Sequence, residues 1–246
     1  MLTFAHALAI LNMFKSRNMY MHTVEKITKS ERTKEMILQQ ALFLFQQDGY
    51  ESVTMRDLAK ACELSLGAFY YHFKNKEEIV LEIFKASLIG HAERTRKYLS
   101  THKSSLEATM IWVCRDRFQE FGPYQAVLRA LSQKLDPHDP ISPWHKSSLP
   151  IREQSIELFE EIVVHCFSSV DAETKRQLAR GLWLQHLLIL GCWSFDRSPD
   201  FKKAELLLNQ SAQLWKSLPT LVKIPGIKLL LNIVLSPLEH FEKEDK

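Results

Sequence analysis

The chain has 246 residues, 46% hydrophobic, 25% charged and 10% aromatic, which excludes disordered, collagen-like and low-complexity classes and is long enough to bury a sizeable core. Its 7 glycines and 9 prolines allow few tight hairpins and leave long Leu-, Ala-, Glu- and Lys-rich stretches for helices. The 32 basic and 29 acidic residues give a net +3, which neither announces nor excludes nucleic acid, because a small basic surface hides inside a neutral average.

Residues 2–14 (LTFAHALAILNMF) are apolar, and Lys15, Arg17 and His22 follow them. A secretory signal has the opposite order, so an extra helix or a tail is expected over residues 1–23. Translation from Met19 or Met21 is the companion expectation, which mass spectrometry of the native protein tests. The longest apolar stretches, residues 181–193 and 229–235, fall well short of the roughly 20 residues a bilayer requires, so no membrane partner is expected.

From Ser30 the pattern is helical: Ile37, Leu38, Ala41, Leu42 and Phe45 form one apolar stripe, and Gly49 suits a left-handed stop. A short second helix over residues 54–62 starts at a Thr54/Asp57 capping pair, with Leu58, Ala59 and Cys62 inward. After the turn at residues 63–65, Ser65 caps a third helix reaching residue 73. Asn75 caps a fourth, with Glu78 at the matching position, that continues to about residue 99. Further helices are expected over residues 105–121, 125–134, 150–167, 172–195, 200–218 and 221–235. Residues 135–148 hold three prolines and read as a loop. No segment alternates with period two, so the fold class is all-α.

Two short helices joined by a three-residue turn make a helix-turn-helix. In the third helix Phe69 and Phe73, with Leu66 partly, point inward. Gly67, Ala68, Tyr71 and His72 are left outward, with Tyr70 at the boundary. Small residues near its N-terminus admit close approach of a DNA backbone, and Tyr71 and His72 carry polar tips. Thr54 offers a hydroxyl and free N–H groups to a phosphate, and Lys76 and Arg56 add cations. The DNA-contacting set is therefore Thr54, Arg56, Ser65, Leu66, Gly67, Ala68, Tyr70, Tyr71, His72 and Lys76, with Lys26, Lys29, Arg32 and Lys34 as a basic arm.

The stretch DGYESVTMRDLAKACELSLGAFYYHFKNKEEIV resembles the DNA-binding domain of TetR/AcrR-family transcriptional repressors, on Gly49, Thr54, Leu58, Ala59, Gly67, Tyr70, Phe73, Lys76 and Ile79. It departs from their pattern at Glu63 (usually Gly), Leu64 (usually Val) and Ala68 (usually Thr or Ser), so no operator sequence carries over. The resemblance implies a DNA-binding domain over residues 24–76, and an α-helical domain over residues 77–246 that dimerises and binds a small effector. Residues 182–199 (LWLQHLLILGCWSFDRSP) are similar to the late helix of one subset of the family. Leu206, Leu207, Leu214 and Trp215 on the next helix are then seam candidates.

Inward aromatics and isolated polar groups are the effector-pocket candidates: Trp112, Phe118, Phe121, Tyr124, His165, Trp183, His186 and Trp193. Each alone reads more readily as plain core or interface. His138, His145, His165 and Cys166 lack the same-face spacing of a metal site, and no phosphate loop, dinucleotide fingerprint or nucleophile elbow appears, so neither metal, cofactor nor enzymatic activity is expected. Cys62, Cys114, Cys166 and Cys192 form no C-x-x-C pair and read as reduced thiols of a cytoplasmic protein. The expectation is an all-α homodimeric repressor that leaves a near-palindromic operator when a small hydrophobic effector binds. The alternative is a constitutive or architectural DNA-binding protein without a ligand switch.

Overall fold

The structure, a computed structural model, describes residues 28–167 and 171–221. Among these the regular elements are all helical: α1 (Lys29–Asp48), α2 (Met55–Ala61), α3 (Leu66–His72), α4 (Lys76–Thr101), α5 (Leu106–Phe121), α6 (Gln125–Leu131), α7 (Leu149–Cys166), α8 (Ala172–Phe195) and α9 (Lys202–Leu221). Short 3-10 turns at Gly122–Tyr124, Lys146–Ser148 and Pro199–Phe201 lead into α6, α7 and α9. The expected N-terminal extension, Lys26 and nearly all of the helix expected over residues 221–235 lie outside the described residues.

The helix starts are set locally. The Thr28 and Thr54 hydroxyls accept from the backbone N–H of Glu31 and Asp57, whose carboxylates accept in return from the threonine N–H, giving a reciprocal capping box at α1 and at α2. Ser65 caps α3 through Ala68 N, and Asn75 caps α4 through Glu78 N. The α1 stop is Gly49 at φ 85°, and the α2–α3 turn passes through Glu63 at φ 54°. A side chain in that left-handed region costs about 1–2 kcal/mol, so Glu63 stands where glycine would be free of strain.

One core joins α1–α4: Ile37, Leu38, Phe45, Leu58, Phe69, Phe73, Ile79 and Ile83 are buried together, and the cluster extends to Phe121, Val127 and Ile141. The other core is built by α5, α7, α8 and α9 around Met110, Phe159, Ile162, Leu182, Ile189, Leu208 and Trp215. Trp215 therefore packs inside its own chain, its indole N–H donating to Gln185 Oε1 at 2.7 Å, while Leu206 and Leu214 on the same helix are exposed. The expected seam thus divides, because residues 214 and 215 lie about 100° apart around a helix.

Helix α6 ends three residues earlier than expected, and its side chains are used elsewhere. Gln125 Nε2 donates to the Trp193 and Asp196 carbonyls, and Arg129 Nε donates to Ser194 O at 2.8 Å. They add donors to carbonyls at the end of α8, where the intrahelical ladder runs out; the Trp193 carbonyl also accepts from Asp196 N. Asp196 completes the corner: its carboxylate accepts from Ser198 N and Oγ and from Ala204 N, so the Asp-Arg-Ser-Pro sequence ties the end of α8 to the start of α9. All four cysteine thiols are free. No described helix is long and apolar enough to cross a membrane.

Candidate nucleic-acid interface and ligand cavity

Helix α3 sits on the surface with its apolar side seated. Phe69 is fully buried, worth about 1.5–3 kcal/mol relative to exposure. Ser65, Leu66, Gly67, Ala68 and Tyr70 are exposed, and Tyr71 is the most exposed large side chain on the helix at 81%. Leu66, expected to be partly inward, is 38% exposed. A Cβ built on Gly67 would meet no heavy atom within 4 Å. Glycine in a helix costs about 1 kcal/mol relative to alanine, and nothing inside this chain asks for it. A surface that must come close to an outside backbone does. His72 is half-buried, packs edge-on to Tyr71 at 5.2 Å, and is held below its ordinary pKa by burial and then by Lys34. Arg56, Lys29 and Arg32 are exposed.

Two of the expected phosphate contacts are placed differently. The Thr54 hydroxyl donates to Asp57 Oδ2 at 2.6 Å, so it is committed to the cap, with a carboxylate beside the α2 N-terminus. Hydrogen bonds from Thr54 hold that carboxyl below its ordinary pKa. Lys76 points into the protein: Nζ donates to Tyr50 O at 2.8 Å and Glu51 O at 3.4 Å, and lies 4.5 Å over the Tyr50 ring. On the other side Lys134 Nζ meets Glu51 Oε1 at 2.8 Å and stands 5.9 Å from the same ring. Two lysines thus pin the segment between α1 and α2.

A cavity of about 910 Å³ lies between α4, α5, α6, the proline-rich loop, α7, α8 and the start of α9. Its size is at the upper end for small-molecule sites. Its wall is mainly apolar, built on Phe84 and Leu88 of α4, Phe121, Leu128, Ile141 and Trp144, and the α8 row Leu184, Leu188, Phe195. Of the expected pocket residues it takes in Phe121 and Trp183 and leaves out the others. Trp112 stacks on Tyr98 at 4.5 Å, and Phe118 on Trp193 at 5.1 Å. Tyr124 is buried in the α1–α4 core, and exposed His165 lies 3.1 Å from the His102 carbonyl. His186 is buried against Phe159 and stacks on His91 at 6.1 Å. The reason is common to them: aromatic and isolated polar side chains fill helix–helix contacts as readily as they line a void. The signal that would have found the wall is the α8 row at helical spacing facing a proline-rich loop.

Beside the cavity runs a polar network the sequence did not disclose. His91 Nδ1 lies 2.7 Å from Asp116 Oδ2, Arg94 spans Asp116 and Glu120, and Arg117 Nη1 donates to Ser87 Oγ and Glu120 Oε2. Burial raises the Asp116 carboxyl, but the His91 and Arg94 hydrogen bonds outweigh it and set the pKa at about 2. Burial lowers His91, partly opposed by its bond to Asp116. Burial and then His91 push His186 well down. Ligand-type atoms of His91, Asp116 and Glu120 come within 4.8 Å of one another, but two guanidinium groups already supply the positive charge there.

Residues 37–83 match the profile described as "Bacterial regulatory proteins, tetR family", and residues 123–224 match "Tetracyclin repressor-like, C-terminal domain". The chain belongs to the TetR family. It is 39% identical over 70 residues to the HTH-type transcriptional regulator AcrR of Shigella flexneri, 28% of this chain and 33% of that one. It is 34% identical over 74 residues to the HTH-type transcriptional repressor KstR2 of Mycolicibacterium smegmatis, 30% of this chain and 36% of that one. The matched segments thus span about a third of these relatives' length. Among solved structures it shares the fold of Thermus thermophilus FadR in complex with lauroyl-CoA (TM-score 0.59, 20% identity, 75% of this chain and 93% of that one). It also shares the fold of NalD from Pseudomonas aeruginosa (TM-score 0.54, 24% identity, 76% and 96%).

Proposed function

We propose that this TetR-family chain is a transcriptional repressor that binds a near-palindromic operator as a homodimer and is released by a small effector in the 910 Å³ cavity. The observation that carries the reading is the α3 surface. Gly67, Ala68, Tyr70 and Tyr71 stand out from a helix whose other face is fully seated. That is the shape a major-groove reader needs. The exposed cations Arg56, Lys29 and Arg32 supply the salt-dependent part of affinity.

Dimerisation is supported by exposed apolar side chains on the last described helix, Leu206 and Leu214 of α9. In this reading residues 24–76 are the DNA-reading part and residues 77–246 the effector part, with α4 leading from the first into the second. Release requires only that the effector bind more tightly to the conformer whose recognition helices are wrongly spaced.

The test is selection of genomic fragments by the purified protein at about 0.15 M salt, followed by footprinting. Recovery of one near-palindromic site is the expected result. Recovery of only salt-sensitive, non-specific fragments, or of none, refutes the operator reading.

A further inference from the structure

The proline-rich segment between α6 and α7 faces two ways. Leu135, Ile141, Pro143 and Trp144 stand in the cavity wall. Lys134, at the start of the segment, puts Nζ 2.8 Å from Glu51 Oε1, 3.7 Å from Asp139 Oδ2 and 5.9 Å from the Tyr50 ring. Glu51 lies between α1 and α2, so one ammonium joins the cavity loop to the turn that leads into the helix-turn-helix. The hydrogen bond from Lys134 is the largest cause holding the Glu51 carboxyl below its ordinary pKa. The loop is also tied to itself. Asp139 Oδ1 accepts from Ile141 N at 3.1 Å, the Asp139 carbonyl accepts from Ser142 N at 2.9 Å, and Ser142 Oγ accepts from Trp144 N at 3.3 Å. Pro137, Pro140 and Pro143 fix φ between these ties. A displaced Ile141 or Trp144 therefore carries Asp139 and Lys134 with it.

We propose that Lys134 is the positioning residue that passes cavity occupancy on to α2 and α3: an occupant pressing on Ile141 and Trp144 shifts the loop, and Lys134 draws Glu51 and the following turn with it. The inference rests on the reading of this cavity as the effector site. Lys76 braces the same turn from α4 and holds it in place while the loop is at rest. The coupling is limited to what the Lys134 bond contributes. Glu51 is exposed, so that is about threefold per subunit, or about tenfold in a dimer bound through both recognition helices.

The experiment fills the cavity covalently. The Cys192 thiol is exposed and lines the wall. Decyl methanethiosulfonate converts it to a decyl disulfide with release of methanesulfinate, which places an apolar chain at the wall. Methyl methanethiosulfonate is the short control, and Cys192→Ser reports any effect of labelling elsewhere. Two readouts are taken: operator affinity by fluorescence anisotropy, and hydrogen exchange at the amides of residues 50–54, which needs no operator. In the wild type, decylation is expected to weaken operator binding about tenfold and to change exchange at residues 50–54. Unlabelled Lys134→Met binds operator within about threefold of wild type, and decylation moves neither readout in it. Lys134→Arg, which keeps the charged bond, retains both responses. Should Lys134→Met not fold, Glu51→Ala breaks the pair from its exposed end and takes its place. A full response in Lys134→Met overturns Lys134 as the link and leaves the effector cavity standing. No response in the fully labelled wild type overturns both.

Discussion

Replacing Lys76 with methionine separates two roles that the sequence pattern merges. A lysine at the start of α4 is well placed to meet a flanking phosphate, yet here its ammonium is bonded to the Tyr50 and Glu51 carbonyls and lies over the Tyr50 ring. The 2.8 Å charged bond, discounted for partial exposure, is worth about 1–2 kcal/mol. The cation–π contact adds about 0.5–1 kcal/mol. Methionine keeps the apolar stem and removes both, so a loss of about 1.5–3 kcal/mol is expected. For a chain of this size that is a fall in Tm of roughly 3–12 °C. Thermal melts measure it, and fluorescence anisotropy on the selected operator, below the melting range, measures affinity separately. The expected pattern is a lowered Tm with DNA affinity changed less than about threefold once the protein is folded. An unchanged Tm with a tenfold or greater loss of affinity would refute the bracing role and return Lys76 to the phosphate.

Tyr71→Ala should do the reverse: at 81% exposure its loss leaves Tm within about 1 °C, while about 1 kcal/mol per half-site makes roughly 30-fold in a dimer's operator affinity. Gly67→Ala should raise stability by about 0.5–1 kcal/mol, because the new Cβ meets open space, and weaken operator binding; a gain in both in the same melt and anisotropy pair would refute close approach. Leu214→Glu, on the exposed side of α9, should shift the particle by light scattering from about twice 28.7 kDa to the monomer with melting retained. His91 and His186 are buried with pKa values depressed below the ordinary 6.5, so the unfolded chain takes up protons that the folded one does not as pH falls through 6.5. Urea midpoints should therefore fall between pH 7.5 and 5.5, at up to about 1.4 kcal/mol per pH unit for each histidine, and flatten in His186→Gln; a constant midpoint would refute the neutral pair.

What was legible in the sequence was what is local. The capping of α2 and α3 and the span of α8 depend on side chains three or four positions from their partners or on an apolar period, and each stands where the residues placed it. The inward pair Phe69 and Phe73 and the outward Tyr71 follow from the same period. What was not legible depends on partners far along the chain. Lys76 finds carbonyls 26 and 25 positions earlier, and Asp116 finds His91 and Arg94 25 and 22 positions earlier. The cavity is the extreme case, since no residue type encodes a void. Trp112, Phe118, Tyr124, His165, His186 and Trp193 have the chemistry of pocket walls and are used in stacks, cores and a surface contact instead.

The placement of the cavity gives the proposed effector a physical route to α3, the proposed recognition helix. Helix α4 leaves the helix-turn-helix at its Asn75 cap and carries Phe84 and Leu88 into the cavity wall, Phe84 about 12 Å along the axis from Lys76. The proline-rich loop gives a second connection. It contributes Ile141 both to the wall and to the α1–α4 core, and Lys134 joins Asp139 of this loop to Glu51 just ahead of α2. Both routes end on the segment between α1 and α2, since Lys76 of α4 and Lys134 each hold the Tyr50–Glu51 pair. A displacement of either wall therefore reaches the turn that sets the angle of α2 and α3. Interiors this closely packed pass on displacement rather than absorb it.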